Sequence, residues 1–389
     1  MKYSSLTDRV KGGAADAWDL HSVAKQARSR GDDVIVLSVG DPDFATPDAI
    51  IAEALRAMRE GDTHYTQISG HDDLRQCIAE QHQVSTAQKV GAENVIATSG
   101  AQNALFASSL CLLDHGDEAI VLQPMYVTYE ATVQASGAKL VPVVLDAETE
   151  FRLNPDLLQQ AISERTRAIF YASPSNPTGI ALNHEEVQLI AELACKHDLW
   201  VVADEVYANF VFNGDFHHIA SEPGMAERTV TIGSMSKSYA MSGWRLGWAV
   251  APTEMIANME KLALCMLYGL PGFIMQAGLY ALQHCSAERE RMCDIYRQRL
   301  EYLYDQFSSM PGLKPHRPDA GMFMMVDVRG SGLEVPEFCQ RLYHTCGVSV
   351  LDATAFGASA VGHVRVSCTV SDDELREACD RIAAFLETL

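Results

Sequence analysis

The run Glu185-Glu186-Val187-Gln188-Leu189-Ile190-Ala191-Glu192-Leu193-Ala194-Cys195-Lys196-His197-Asp198-Leu199-Trp200-Val201-Val202-Ala203-Asp204-Glu205-Val206-Tyr207 holds two patterns back to back. Over Glu185 to His197 the apolar residues Val187, Leu189, Ile190, Leu193 and Ala194 keep helical spacing. From Leu199 to Ala203 every residue is apolar, as in a strand covered on both faces. A carboxylate, Asp204, follows at once. Helix, buried strand and polar strand end in this order are the repeating unit of an α/β sheet, which places its ligand contacts at the C-terminal ends of its strands.

The same alternation extends on both sides, from about Asn94 to Val250. Strands are predicted at Ala119–Leu122, Leu140–Val144, Ala168–Tyr171, Thr229–Ile232 and Leu246–Val250, with amphipathic segments between several of them. Beyond Pro252 the pattern turns to long helices, Ala287 to Phe307 being the clearest. Strand-like runs follow at Met322–Val328, Val348–Leu351 and His363–Ser367, then a closing helix from Asp372. The chain of 389 residues is long enough for two domains. The expected division is a large α/β domain over 45–285 and a smaller α+β domain built from 1–44 and 286–389.

Five features bound the partners and the compartment. The net charge of −21 disfavours nucleic acid and anionic membrane surfaces, so the expected partners are small molecules. The most apolar stretch, Leu262 to Met275, is broken by Gly269, Pro271 and Gly272 and is too short to span a bilayer. Met1 to Ala15 is polar, so no secretory signal is expected. Ten cysteines are scattered without a C-x-x-C pair, which suits reduced thiols in the cytoplasm and gives no metal site. His217-His218 and the remaining histidines show no ligand spacing and read as ordinary surface or core residues.

The chemistry gathers at strand ends. Gly233-Ser234-Met235-Ser236-Lys237-Ser238 follows one predicted strand, and Arg245 lies eight residues beyond Lys237. A lysine whose ammonium is destabilised condenses with a carbonyl, while hydroxyls and a guanidinium beside it suit a phosphate. Together they point to a Schiff base on Lys237 with Ser234, Ser236 and Arg245 around an anion. The Ser234-x-x-Lys237 pattern also occurs in serine acyl-enzymes, but these need a K-T-G element that is missing here. Asp204 suits a protonated pyridine nitrogen, or else a helix cap. Two prolines and a glycine around Asn176, in Ser173-Pro174-Ser175-Asn176-Pro177-Thr178-Gly179, form a rigid turn that presents its amide. Thr98-Ser99-Gly100-Ala101-Gln102 opens a helical run whose free N–H groups suit a phosphate.

These segments, together with Ser38-Val39-Gly40-Asp41-Pro42-Asp43-Phe44, the Tyr65-Thr66…Gly70…Leu74-Arg75 stretch, Met241-Ser242-Gly243-Trp244-Arg245-Leu246-Gly247 and Arg365-Val366-Ser367, are arranged as in a known family. Their order and spacing resemble the class I/II aminotransferases of the aspartate aminotransferase superfamily, over nearly the whole chain. The resemblance implies the fold type I architecture of pyridoxal-phosphate (PLP) enzymes: a mainly parallel seven-stranded sheet sandwiched by helices, with a smaller α+β domain. It implies pyridoxal 5′-phosphate as cofactor, a homodimer with shared active sites, and ping-pong transfer between an amino acid and a 2-oxo acid. Lys237, Asp204 and Tyr207 would be catalytic. Gly100, Ala101, Gln102, Ser234, Ser236 and Arg245 would hold the phosphate, joined by Tyr65 of the neighbouring subunit. Tyr126 would stack on the ring, Asn176 and Tyr207 would bond its hydroxyl oxygen, and Arg365 with Gly40 and Asn176 would bind the substrate. Ser175 stands where many relatives carry Asn.

Further stretches, Ala17-Trp18-Asp19-Leu20-His21, Pro124 to Ala131, Leu262 to Gly269, Gly321-Met322-Phe323 and Gly347 to Leu351, resemble the arginine:pyruvate transaminases within that superfamily. Arginine as donor and pyruvate as acceptor are the corresponding expectation, with Asp16, Asp19 or a neighbouring subunit's Tyr268 as candidate partners for the guanidinium. Aspartate or aromatic donors, a PLP-dependent C–S lyase and a regulator built on the same domain remain alternatives.

Overall fold

The computed structural model describes residues 2–11, 18–212 and 214–389. β1 (Ile35–Val36) lies outside the main sheet. That sheet comprises β2 (Val95–Thr98), β3 (Glu118–Gln123), β4 (Lys139–Val144), β5 (Thr166–Ala172), β6 (Trp200–Asp204), β7 (Thr229–Ser234) and β8 (Gly247–Val250), in the order β2-β8-β7-β6-β5-β3-β4. All neighbours are parallel except β8, which runs antiparallel to β2 and β7. Six of the seven strands are legible as apolar runs. Val95–Thr98 is only four residues long and merges into a turn, and the antiparallel pairing of β8 was not visible locally.

The helix His184–His197 shows how local sequence sets an element. Asn183 accepts from the Glu186 backbone N–H while the Glu186 carboxylate accepts from the Asn183 N–H, a capping box. The helix stops at Asp198, whose φ of 52° turns the chain into β6. Val187, Ile190, Leu193 and Ala194 then pack against Val201 and Ala203 on one face of the sheet, while Val202 and Val230 pack on the other.

A four-stranded antiparallel sheet follows the long helix Ser286–Ser309. It comprises β9 (Lys314–Pro315), β10 (Phe323–Asp327), β12 (Leu351–Asp352) and β13 (His363–Ser367), in the order β12-β13-β10-β9. β11 (Val348–Ser349) pairs in parallel with β1, and Leu37 links the two assemblies by donating to Ser349 and accepting from Ser367. This ties the segment from Ile35 to the C-terminal sheet, with Leu37, Phe338, Val364, Val366 and Ile382 in one core. No helix among the described residues is long and apolar enough to cross a membrane.

The chain passes from β4 back across β3 to reach β5, so β3 and β5 diverge at a topological switch point. An open α/β sheet has its natural crevice there, outside the strand ends.

Candidate active site

A cavity of about 350 Å³ opens at those strand ends, between the main sheet and the small sheet. Tyr126 enters it from the end of β3, Ala172 and Asn176 from the end of β5, and Asp204 from β6. Lys237 and Arg245 enter from the loop between β7 and β8. That loop is tight: Met235 N donates to Leu246 O, and Ser234 lies opposite Gly247 in the pairing of the two strands. The lysine and the arginine are thus brought to one rim by a local turn.

Lys237 donates from Nζ to the Gly40 carbonyl at 2.8 Å. Burial, reinforced by the charges of Arg365 and Arg245 and opposed by Asp41, lowers its pKa to about 8. An appreciable neutral fraction is therefore present near neutral pH, which a nucleophilic amine requires. Asp204 is buried, and burial pushes its pKa up to about 6, against hydrogen bonds from Tyr129 and the Val206 N–H. The Tyr129 hydroxyl donates to Oδ2 at 2.9 Å and Val206 N to Oδ1 at 3.3 Å, so both oxygens are fixed from behind.

Beside Arg245, Gly100 caps the helix Ala101–Leu112 with a φ of 78°, in the left-handed region that favours glycine. A Cβ on Gly100 would lie 2.3 Å from Arg245 Nη2, so the guanidinium rests directly against the helix start. Arg245 donates to the carbonyls of Ser242 and Ser99. Ser234 and Ser236 stand beside it, their hydroxyls 2.9 Å apart. Helix N–H groups, a guanidinium and two hydroxyls are donors aimed at one place, the composition of a phosphate cradle. Gln102 instead bonds Thr128 and Thr132 through its side chain, leaving its backbone for the cradle.

Arg365 is 1% exposed at the centre of β13. Nη1 donates to Asn176 Oδ1 and Nη2 to Ser38 O, both at 2.8 Å, and Nε has no partner. The rings of Phe323 and Phe356 lie 4.4 and 5.1 Å from its guanidinium carbon. Burial lowers its pKa to about 10, which leaves it a cation at neutral pH. A buried cation whose direct hydrogen bonds are all to neutral groups is costly alone and suits an anionic ligand. Tyr207 is buried near it, its hydroxyl pushed well above the usual phenol range by burial.

Lys237, Asp204, Asn176, Tyr126, Tyr207, Ser234, Ser236, Arg245, Gly40, Ala101, Gln102 and Arg365 all line this cavity, and Gly100 adjoins it. Tyr65 does not: it is 88% exposed and packs on Tyr268, ring centroids 5.0 Å apart. Of the candidate guanidinium partners, Asp19 is exposed and neither it nor Tyr268 lines the cavity, while Asp16 lies outside the described residues. Sequence reasoning missed Tyr129 and Trp18. Tyr129 was signalled only by its i+3 spacing from Tyr126, and Trp18, 5.8 Å from the Arg365 guanidinium, by nothing local.

The cradle, the buried carboxylate and the amine fit a phosphorylated pyridine aldehyde. The family model described as aminotransferase class I and II matches residues 32–382. The chain belongs to the class I and II aminotransferases. It is an enzyme, a transaminase, and the members of this family depend on PLP. It is 47% identical to an arginine–pyruvate transaminase of Pseudomonas aeruginosa, over 98% of each chain. It is 35% identical to an aspartate aminotransferase of Musicola paradisiaca, over 97% of this chain and 96% of that one. Its structure is similar to the aspartate aminotransferase of Thermus thermophilus with maleate, with a TM-score of 0.93 at 32% identity, covering 99% of this chain and 100% of that one.

Proposed function

We propose that this transaminase moves the amino group of L-arginine to pyruvate by a ping-pong route, with pyridoxal 5′-phosphate held in the cavity by the residues described above. The observation that carries the reading is Arg365, a buried cation with neutral partners beside an amine of lowered pKa and a buried carboxylate. The 47% identity to an arginine–pyruvate transaminase supports the choice of substrates.

When bound, the cofactor supplies an aldehyde for the amine and a ring that accepts electrons released at the substrate α-carbon. Gly100, Ala101, Gln102, Ser234, Ser236 and Arg245 would grip its phosphate. Asp204, fixed by Tyr129 and Val206, would hold a proton-bearing ring nitrogen. Tyr126 would cover one ring face, while Asn176 and Tyr207 would bond the ring oxygen. Arg365 binds the α-carboxylate shared by donor and acceptor, so one clamp serves both half-reactions. Phe323 and Phe356 keep water from that ion pair, which strengthens it. Lys237, partly neutral because burial lowers its pKa, removes the proton at the donor α-carbon and later returns one to the acceptor's. Gly40 O gives its ammonium a resting acceptor.

The exposed Tyr65, Leu264, Met266, Leu267 and Tyr268 support a homodimer in which Tyr65 reaches the partner's phosphate. Ten free cysteines support a cytoplasmic location.

The test is a panel of amino acids offered to the PLP-loaded enzyme with pyruvate, following alanine. Arginine should give the highest kcat/KM. A higher value for aspartate or an aromatic donor removes the arginine assignment, and release of ammonia and pyruvate without an acceptor replaces transamination with elimination.

A further inference from the structure

Asp204 and Glu205 are consecutive at the end of β6, and both are buried. Successive side chains leave a strand in opposite directions, so Asp204 faces the cavity while Glu205 points behind it. There Glu205 Oε2 meets His218 Nδ1 at 2.7 Å, and Oε1 has no hydrogen-bond partner. His218 arrives on the loop before the short turn Ile219–Ser221, with the Phe216 ring edge-on at 4.6 Å. The other titratable groups in this region are Tyr171, a neutral phenol, and His82, which bonds Gln88.

An ionised carboxylate placed behind Asp204 makes a second negative charge there less favourable, which would raise Asp204's affinity for a proton. A protonated Asp204 no longer forms an ion pair with a ring nitrogen that also carries a proton. We propose that His218 is a positioning residue: its imidazolium, bonded to Glu205, cancels that neighbour's charge and leaves Asp204 ionised to hold the ring nitrogen of the cofactor. The inference rests on the cofactor reading given under Proposed function. Burial works against the His218 proton, but the charge and hydrogen bond of Glu205 together raise its pKa above the usual histidine value. Raised in this way, His218 keeps its proton, and with it the charge that offsets Glu205, further up the pH scale than an ordinary imidazole does.

The arrangement assigns a role to a histidine that sequence reads as ordinary.

The test uses binding rather than turnover. Cofactor-free protein is titrated with pyridoxamine 5′-phosphate by fluorescence from pH 8 to pH 5, in wild type, His218→Gln, Glu205→Gln/His218→Gln and Asp204→Asn. Because the ligand's own ionisation is common to all, the ratio of each variant's Kd to the wild-type Kd isolates the protein group. For His218→Gln this ratio should be near one at pH 8 and rise to about tenfold at pH 5, as Asp204 takes its proton about one pH unit earlier. The double variant should return the ratio to one or below at every pH. Circular dichroism and denaturant unfolding establish that each variant is folded. A flat ratio for His218→Gln, or a double variant with the same rise, overturns the inference. If Asp204→Asn binds the ligand as wild type does at every pH, the failure lies instead in the cofactor reading.

Discussion

Replacing Gly100 with alanine perturbs the phosphate cradle without substituting any of its side-chain donors. The new Cβ would lie 2.3 Å from Arg245 Nη2 and 3.0 Å from its central guanidinium carbon, well inside contact distance. Because the clashing group is the end of a long side chain, it swings away rather than breaking the fold, and the cradle loses its guanidinium. A hydrogen bond to a charged group contributes about 1.5–3 kcal/mol, so the Kd for PLP should rise about tenfold to 150-fold. A second effect is separate. At a φ of 78° alanine is strained by about 1–3 kcal/mol, which should lower the stability of the cofactor-free protein by that amount. The assay is equilibrium binding of PLP to cofactor-free protein, paired with urea unfolding of the same samples. A Kd within twofold of wild type in a folded Gly100→Ala protein would refute the placement of the phosphate between this helix start and Arg245.

Other tests address the remaining groups. In cofactor-free protein, Schiff-base formation between Lys237 and a simple added aldehyde should accelerate as pH rises through about 8, whereas ordinary lysines respond near 10.5; Lys237→Ala removes the early component. Arg365→Lys keeps the charge but loses the planar fork, so KM for amino acid and 2-oxo acid should both rise, with kcat/KM down about 100-fold; an unchanged KM for either substrate contradicts the shared clamp. Mixing inactive Lys237→Ala and Tyr65→Ala proteins after subunit exchange should restore about a quarter of wild-type activity, since half the dimers are mixed and each carries one intact site. No recovery in demonstrated mixed dimers would mean that Tyr65 does not serve the partner's site.

What local sequence determined here is what short-range physics encodes. The helical spacing of Val187 to Ala194, the apolar run to Ala203 and the carboxylate that ends it fix one α/β unit, because side-chain periodicity follows backbone geometry within a few residues. The turn from Ser234 to Gly247 likewise carries Lys237 and Arg245 to one rim by itself. The specific joint pattern of motifs then gave the family. Tertiary structure decided the contacts with no local trace. Arg365 reaches Asn176 across 189 residues and Ser38 across 327, and Tyr129 reaches Asp204 across 75. His218 finds Glu205 only because a loop folds behind β6. The lowered pKa of Lys237 and the raised pKa of Asp204 belong to the same class, since burial is a property of the packed molecule and no single segment contains it.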